Sequence, residues 1–341
     1  MRRFVKRFVS FVFYWTGITP LLLRFWRKDR LLFLLYHRVR EPEHAFEAAV
    51  SPATFERQMR FLKKHFEVVS VREALVRKQK REVSAKPLAG ITFDDGYRDN
   101  YSAAYPILKK YSLPATFFLT AGSIGNGEPM WTSRLEAIFK NADVKKLTLE
   151  TLSPARSFAL GDSRERMKVC HEVKAEMKKV SDSVRQEILE ELLEKTGLDP
   201  KARPSESEML SWEEVALLAE DPLVEIGSHS VSHRMLSRLS AEEVRWELEE
   251  SRKKIEAELG RPVLFLSYPG NSYNRSVRDL ARMTGYKAAF AVGRTLSSLA
   301  EDLHELKRVH VEEEPFPVFL AEITMVLPFF RNLFRTPEKK K

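Results

Sequence analysis

The chain has a single cysteine, Cys170, among its 341 residues. That excludes an intrachain disulfide and leaves the redox compartment open. Cys170 lies in a charged helical pattern, so it reads as structural and makes no case for a thiol nucleophile. A full membrane-crossing run is also missing: Phe8–Leu23 is nearly uncharged but only 16 residues long, with Gly17 and Pro20 inside it, where a spanning helix needs about 20. It offers no small-x-small cleavage site, which argues against a cleaved signal peptide. No glycine pattern of a nucleotide-binding loop occurs, which weighs against a sugar-nucleotide transferase, and there is no internal repeat or low-complexity segment. Acid is nearly absent from residues 1–40, where ten basic side chains face Asp29 alone. That excess equals the whole net charge of +9, so the remainder is balanced. No general basic face is implied, and nucleic acid is not an expected partner.

With 43% apolar and 31% charged residues, the composition is that of a folded protein. Apolar runs at Leu31–Tyr36, Val68–Val69, Ala89–Phe93, Ala115–Leu119, Val224–Ile226, Val263–Leu266, Lys287–Val292 and Leu306–Val311 read as strands, mostly separated by helical patterns. The first such helix starts at Ser51, with Phe55, Met59, Leu62 and Phe66 on one stripe, and another covers Tyr101–Tyr111. Capping boxes open helices at Ser211 and Ser240. The alternation predicts an α/β fold, a distorted barrel of seven or eight strands over residues 31–312. Residues 130–205 break the rhythm with two charged helices, the second capped by Ser181 or Asp182 and ended by Gly197, and read as a helical insertion. Residues 1–30 mix aromatics (Phe8, Phe11, Phe13, Tyr14, Trp15, Phe25, Trp26) with cations, as a membrane-associating segment does. A helix packed on the domain itself is the alternative, and the extracytoplasmic side is the expected location. Residues 313–341 form an apolar, then basic, tail.

In parallel α/β folds the site forms where strand C-terminal ends converge. Asp94-Asp95, His229 and His233, Pro269-Gly270, His37 and His310 all sit just past expected strands. Two adjacent carboxylates repel and are costly to bury, so they want a cation. His229 and His233 are four apart, which one helical turn would put on the same side. Two imidazoles and a carboxylate make a facial set suited to zinc or another first-row divalent ion.

These residues also carry a resemblance. Thr92-Phe93-Asp94-Asp95-Gly96 and His229-Ser230-Val231-Ser232-His233 are similar to the first and second motifs of the polysaccharide deacetylases with a NodB-type homology domain, carbohydrate esterase family 4. The likeness continues through Tyr36-His37-Arg38-Val39, Pro114-Ala115-Thr116-Phe117-Phe118 and Gly285-Tyr286. It implies a distorted (β/α) barrel and metal-dependent N-deacetylation of an N-acetylhexosamine polysaccharide or lipid-linked glycan. By position, Asp94 would be the general base, and Asp95, His229 and His233 would hold the metal, with Zn2+ expected. The oxyanion would rest on the metal and the Gly270 N–H.

The family's third motif often reads Arg-x-Pro, with the arginine orienting the catalytic aspartate; here Ser267 stands in its place, and Arg308 is the expected substitute. His310 or His37 would be the general acid. Tyr97, Trp131, Tyr268 and Pro269 are candidate sugar contacts, while His44, His65, His171 and His304 read as surface or helix residues. Two other readings remain: an amidohydrolase of a small N-acyl or cyclic amide metabolite, and a catalytically inactive membrane-bound glycan-binding module.

Overall fold

Long apolar runs buried on both faces are what a parallel barrel needs, and seven of them close one here. In a computed structural model describing residues 3–24, 30–43, 47–80, 84–125, 129–199, 208–293, 295–298 and 302–333, the strands are β1 (Arg30–Tyr36), β2 (Leu88–Phe93), β3 (Ala115–Leu119), β4 (Val224–Ser228), β5 (Phe265–Ser267), β6 (Ala288–Val292) and β7 (Leu306–His310). Each pairs in parallel with the next, and β7 pairs with β1 to complete the ring. The eighth expected strand, at Val68–Val69, is a two-residue strand, Glu67–Val68, added to the start of β2. It is not needed for closure, because β1 and β2 pair directly over six residues.

The barrel interior is filled by phenylalanine. Phe33 packs edge-on against Phe290 with ring centroids 4.9 Å apart, and Phe118 lies 5.5 Å from Phe290. Their partners opposite are glycines for a steric reason. A Cβ on Gly90 would stand 2.5 Å from the Phe33 ring, and one on Gly227 equally close to the Phe118 ring.

The outer layer follows the sequence patterns. The helix Pro52–His65 is N-capped by Ser51 and buries Phe55, Met59 and Leu62. Both capping boxes form, Ser211 with Glu214 and Ser240 with Glu243. The Tyr101–Tyr111 helix is modified: it begins as a π-turn over Asn100–Ala104 before an α-helix over Tyr105–Tyr111. The insertion holds three helices, Trp131–Asn141, Ser163–Met177 and Asp182–Thr196, around their own core of Leu135, Phe139, Cys170, Val173, Ile188 and Leu192. Ser181, not Asp182, caps the last of them, and Gly197 ends it in the left-handed conformation. It also contains an antiparallel hairpin, Lys146–Leu149 with Arg156–Ala159, that the sequence reading did not foresee.

At the ends of the chain, the helix Arg3–Trp15 breaks at Gly17 (φ +71°) and continues as Ile18–Arg24. It packs against the tail helices Phe316–Ile323 and Val326–Leu333. Among the described residues no helix is long and apolar enough to cross a membrane.

Candidate metal centre and active site

β2 delivers the two aspartates to different places. The Asp94 N–H still bonds to the Tyr36 carbonyl of β1 at 3.0 Å, so its side chain continues the inward-facing series of the strand. Asp95 then adopts φ +78°, a left-handed conformation that aspartate tolerates better than most residues. The one-residue change of hand lets two adjacent carboxylates serve two jobs.

Asp95 faces the histidines. Its Oδ1 lies 3.4 Å from His229 Nε2 and 3.5 Å from His233 Nε2. One ligand atom from each of the three fits within a 4.8 Å cluster, and all three residues are buried. His229 Nδ1 meets the Ser267 carbonyl at 2.8 Å. A carbonyl only accepts, so Nδ1 carries the proton and Nε2 presents a lone pair. Nε2 and Oδ1 are then two acceptors facing each other, and Asp95 Oδ1 is a buried oxygen without a hydrogen-bond donor among the described residues. Such an arrangement is unfavourable without a cation, and the donor set fits one. Burial pushes the His233 pKa down to about 3 against the field of Asp95.

The histidines do not meet through a helical turn. They sit in a loop with two left-handed residues, Ser230 (φ +64°) and His233 (φ +56°). A residue the sequence reading overlooked pins this loop. Glu247, fully buried on the helix Ala241–Leu259, accepts the Val231 and Ser232 N–H groups at 2.9 and 3.0 Å and the Ser232 hydroxyl. Its signal was present: it stands beside Val244, Leu248 and Ser251 on the inward face, where a carboxylate needs partners.

Asp94 is clamped instead. Arg308, fully buried on β7, donates Nη1 to Asp94 Oδ1 and Nη2 to Oδ2, both at 2.7 Å. Nη1 also reaches Thr92 Oγ1 at 3.1 Å, and Nη2 reaches Ser267 Oγ at 2.6 Å. The Ser267 hydroxyl donates in turn to Asp94 Oδ2 at 2.9 Å. The guanidinium lies over the Phe118 and Phe290 rings at 5.3 and 5.7 Å. Arg308 on β7 and Ser267 on β5 thus hold the same carboxylate and are linked to each other. Burial would raise the Asp94 pKa; the Arg308 charge and hydrogen bonds overcome it and lower it.

His37 and His310 end adjacent strands, with ring centroids 5.1 Å apart and perpendicular planes. His37 Nδ1 and His310 Nε2 are buried without a hydrogen-bond partner among the described residues. Burial brings the His37 pKa down to about 4, opposed by the fields of Asp95 and Asp94.

The expected sugar contacts are corrected by burial. Trp131 is in the insertion core, donating Nε1 to the His233 carbonyl at 3.1 Å, with the Arg185 guanidinium over its ring. It is a strut for the loop that carries His229 and His233, not an open platform. Tyr268 is buried, donates to the His304 carbonyl and stacks on Tyr273. The Tyr97 ring is buried with the Arg38 guanidinium 4.4 Å from its centroid. Pro269 is buried and Gly270 half-buried; Gly270 has φ +57°, and a Cβ there would meet Met235 Sδ at 2.9 Å. His304 is also buried, its Nε2 meeting the Tyr286 carbonyl at 2.9 Å, so it is not a surface residue. His44 lies outside the described residues.

Comparison with known proteins follows the same outline. Residues 81–289 match the family described as Polysaccharide deacetylase. The Bacillus subtilis protein YxkH is 38% identical over 99 residues, 28% of this chain and 34% of that protein. The poly-beta-1,6-N-acetyl-D-glucosamine N-deacetylase of Staphylococcus aureus is 34% identical over 114 residues, 29% of this chain and 39% of that protein. The matches therefore span under two-fifths of either relative. Among solved structures, the Streptococcus pyogenes deacetylase PplD in complex with acetate superposes with a TM-score of 0.58 at 19% identity, covering 87% of this chain and 99% of that one. IcaB from Ammonifex degensii gives 0.56 at 18%, covering 87% and 97%. At these identities the superpositions establish the shared fold.

Proposed function

The chain belongs to the polysaccharide deacetylase family, and from that premise we propose that it hydrolyses N-acetyl groups from an N-acetylhexosamine polysaccharide. The observation that carries this reading is the pairing of a buried Asp-His-His cluster with a second, arginine-clamped aspartate one residue away. Asp95, His229 and His233 would hold the divalent cation, and two imidazoles with one carboxylate suit zinc. When bound, that cation supplies a Lewis acid that polarises the acetyl carbonyl and acidifies water.

The other steps fall to side chains and backbone. Asp94 accepts the proton of the attacking water; its Oδ2 lies 3.8 Å from His229 Nε2, at the edge of the Asp-His-His cluster. Arg308 and Ser267 fix the plane of that carboxylate. The Gly270 N–H donates to the developing oxyanion. The C–N bond then breaks, acetate forms and the amine leaves with a proton from a histidine. His37 and His310, paired at the ends of β1 and β7, are the two candidates for that donor. The alternative of an inactive glycan-binding module drew its support from the missing arginine, and Arg308 removes that motive.

Acetate release from an N-acetylglucosamine oligomer tests the proposal. Wild type should release acetate; chelator should abolish the release and added Zn2+ restore it. Asp94→Asn should retain zinc and lose at least about a hundredfold in kcat. Release that persists in both the chelated enzyme and the variant would overturn the mechanism.

A further inference from the structure

The helix Arg3–Trp15 has two unlike faces. One is occupied: Ser10 is fully buried, Val9 and Phe13 pack with Val318, Ala321 and Phe330, and Lys6 Nζ binds Glu314 at 3.0 Å and Glu322 at 3.7 Å. The other carries Phe4, Phe8, Phe11 and Trp15, spaced as one helical stripe. Phe4 is 79% exposed, Phe8 61% and Trp15 78%, and the Phe4 and Phe8 rings stack on each other at 6.4 Å. Ile18 and Leu21 extend the exposed apolar surface past the break at Gly17. A contiguous aromatic patch of this kind marks an interaction surface.

We propose that this stripe docks in the plane of an anionic phospholipid surface. Length and packing argue for lying on a bilayer and not crossing it. Thirteen residues reach only about 20 Å as a helix, against a hydrocarbon core of about 30 Å, and immersion all round would strip Lys6 from its carboxylates. Aromatics on one face with flanking cations are what an interfacial helix presents. Charge selects the occupant. Residues 1–28 carry seven cations and no acid; Lys6 and Arg7 pair with Glu314, and the positive charge that is left would repel a second copy of the segment, whereas anionic headgroups would attract it. A cavity of about 170 Å³ lined by Lys6, His310, Glu312, Glu314, Glu322 and Arg331 joins the helix to the C-terminal end of β7.

The test is co-sedimentation of the full chain with vesicles of phosphatidylcholine, with and without phosphatidylglycerol. Wild type should bind the phosphatidylglycerol vesicles, bind less as salt is raised, and show a blue shift of tryptophan emission that Trp15→Phe removes while binding persists. Phe8→Ser with Trp15→Ser should weaken binding at least about tenfold. Both side chains are exposed, so a cooperative thermal melt unchanged from wild type identifies a folded variant. The proposal is overturned by wild type that binds neither vesicle, by equal binding to both, by a double variant that binds like wild type, or by a wild-type dimer that the double variant dissolves. None of these readouts depends on catalysis.

Discussion

Asp94 and Arg308 are the residues whose exchange would say most. Arg308 is wholly inside the barrel and satisfies both carboxylate oxygens. Arg308→Ala leaves a buried carboxylate without its counter-charge, which costs about 3–5 kcal/mol. Urea denaturation should register that loss, and acetate release should fall with it. Arg308→Lys should not restore either, because an ammonium cannot serve two oxygens in one plane. A second expectation concerns acidity. The folded chain holds the His37 pKa near 4, below the 6.5 of a free imidazole. Its contribution to stability is therefore complete above about pH 6.5 and is lost as pH falls towards 4, because the unfolded chain binds the proton first. Urea melts of metal-free protein at pH 7 and pH 5 should differ more for wild type than for His37→Gln.

At the scale of elements, the loop holding the two histidines depends on a helix that touches no ligand. Glu247→Ala would strand two backbone N–H groups in the interior, at about 1–3 kcal/mol each. Zinc affinity should drop about 10–100-fold, as measured by competition with a chromogenic chelator, and Glu247→Gln should recover part of it. This loop also shows where sequence reasoning stops. Strand and helix identities were legible because burial imposes periodicity: the Phe55–Met59–Leu62 stripe and both capping boxes are local patterns. The convergence of Asp95, His229 and His233 was legible because strand ends in a parallel barrel share one face. The path between His229 and His233 was not, since it depends on left-handed residues and on Glu247, distant partners that spacing does not encode. The hairpin Lys146–Leu149 with Arg156–Ala159 escaped for a similar reason. Each strand has only four residues, too few to establish an alternation.

Considered as a whole, the molecule joins a barrel to an insertion with its own core, and Trp131 is a link between them. Its indole is packed among insertion residues while its N–H holds the His233 carbonyl. Trp131→Phe keeps most of the packing and removes that hydrogen bond. It should weaken zinc binding severalfold with a change in stability of about 1 kcal/mol, whereas a residue that served only the insertion core would leave zinc binding unchanged. An isothermal titration beside a urea melt separates the two outcomes.

The phenylalanines inside the barrel have a consequence for traffic. With Phe33, Phe118 and Phe290 packed under Arg308, and Gly90 and Gly227 leaving no room for even a methyl group, the centre has a closed floor among the described residues. In the proposed reaction, acetate is made beneath the sugar that bore it. The small product must therefore leave by the doorway the polymer occupies, so each turnover ends with the chain sliding or lifting before the site can be emptied.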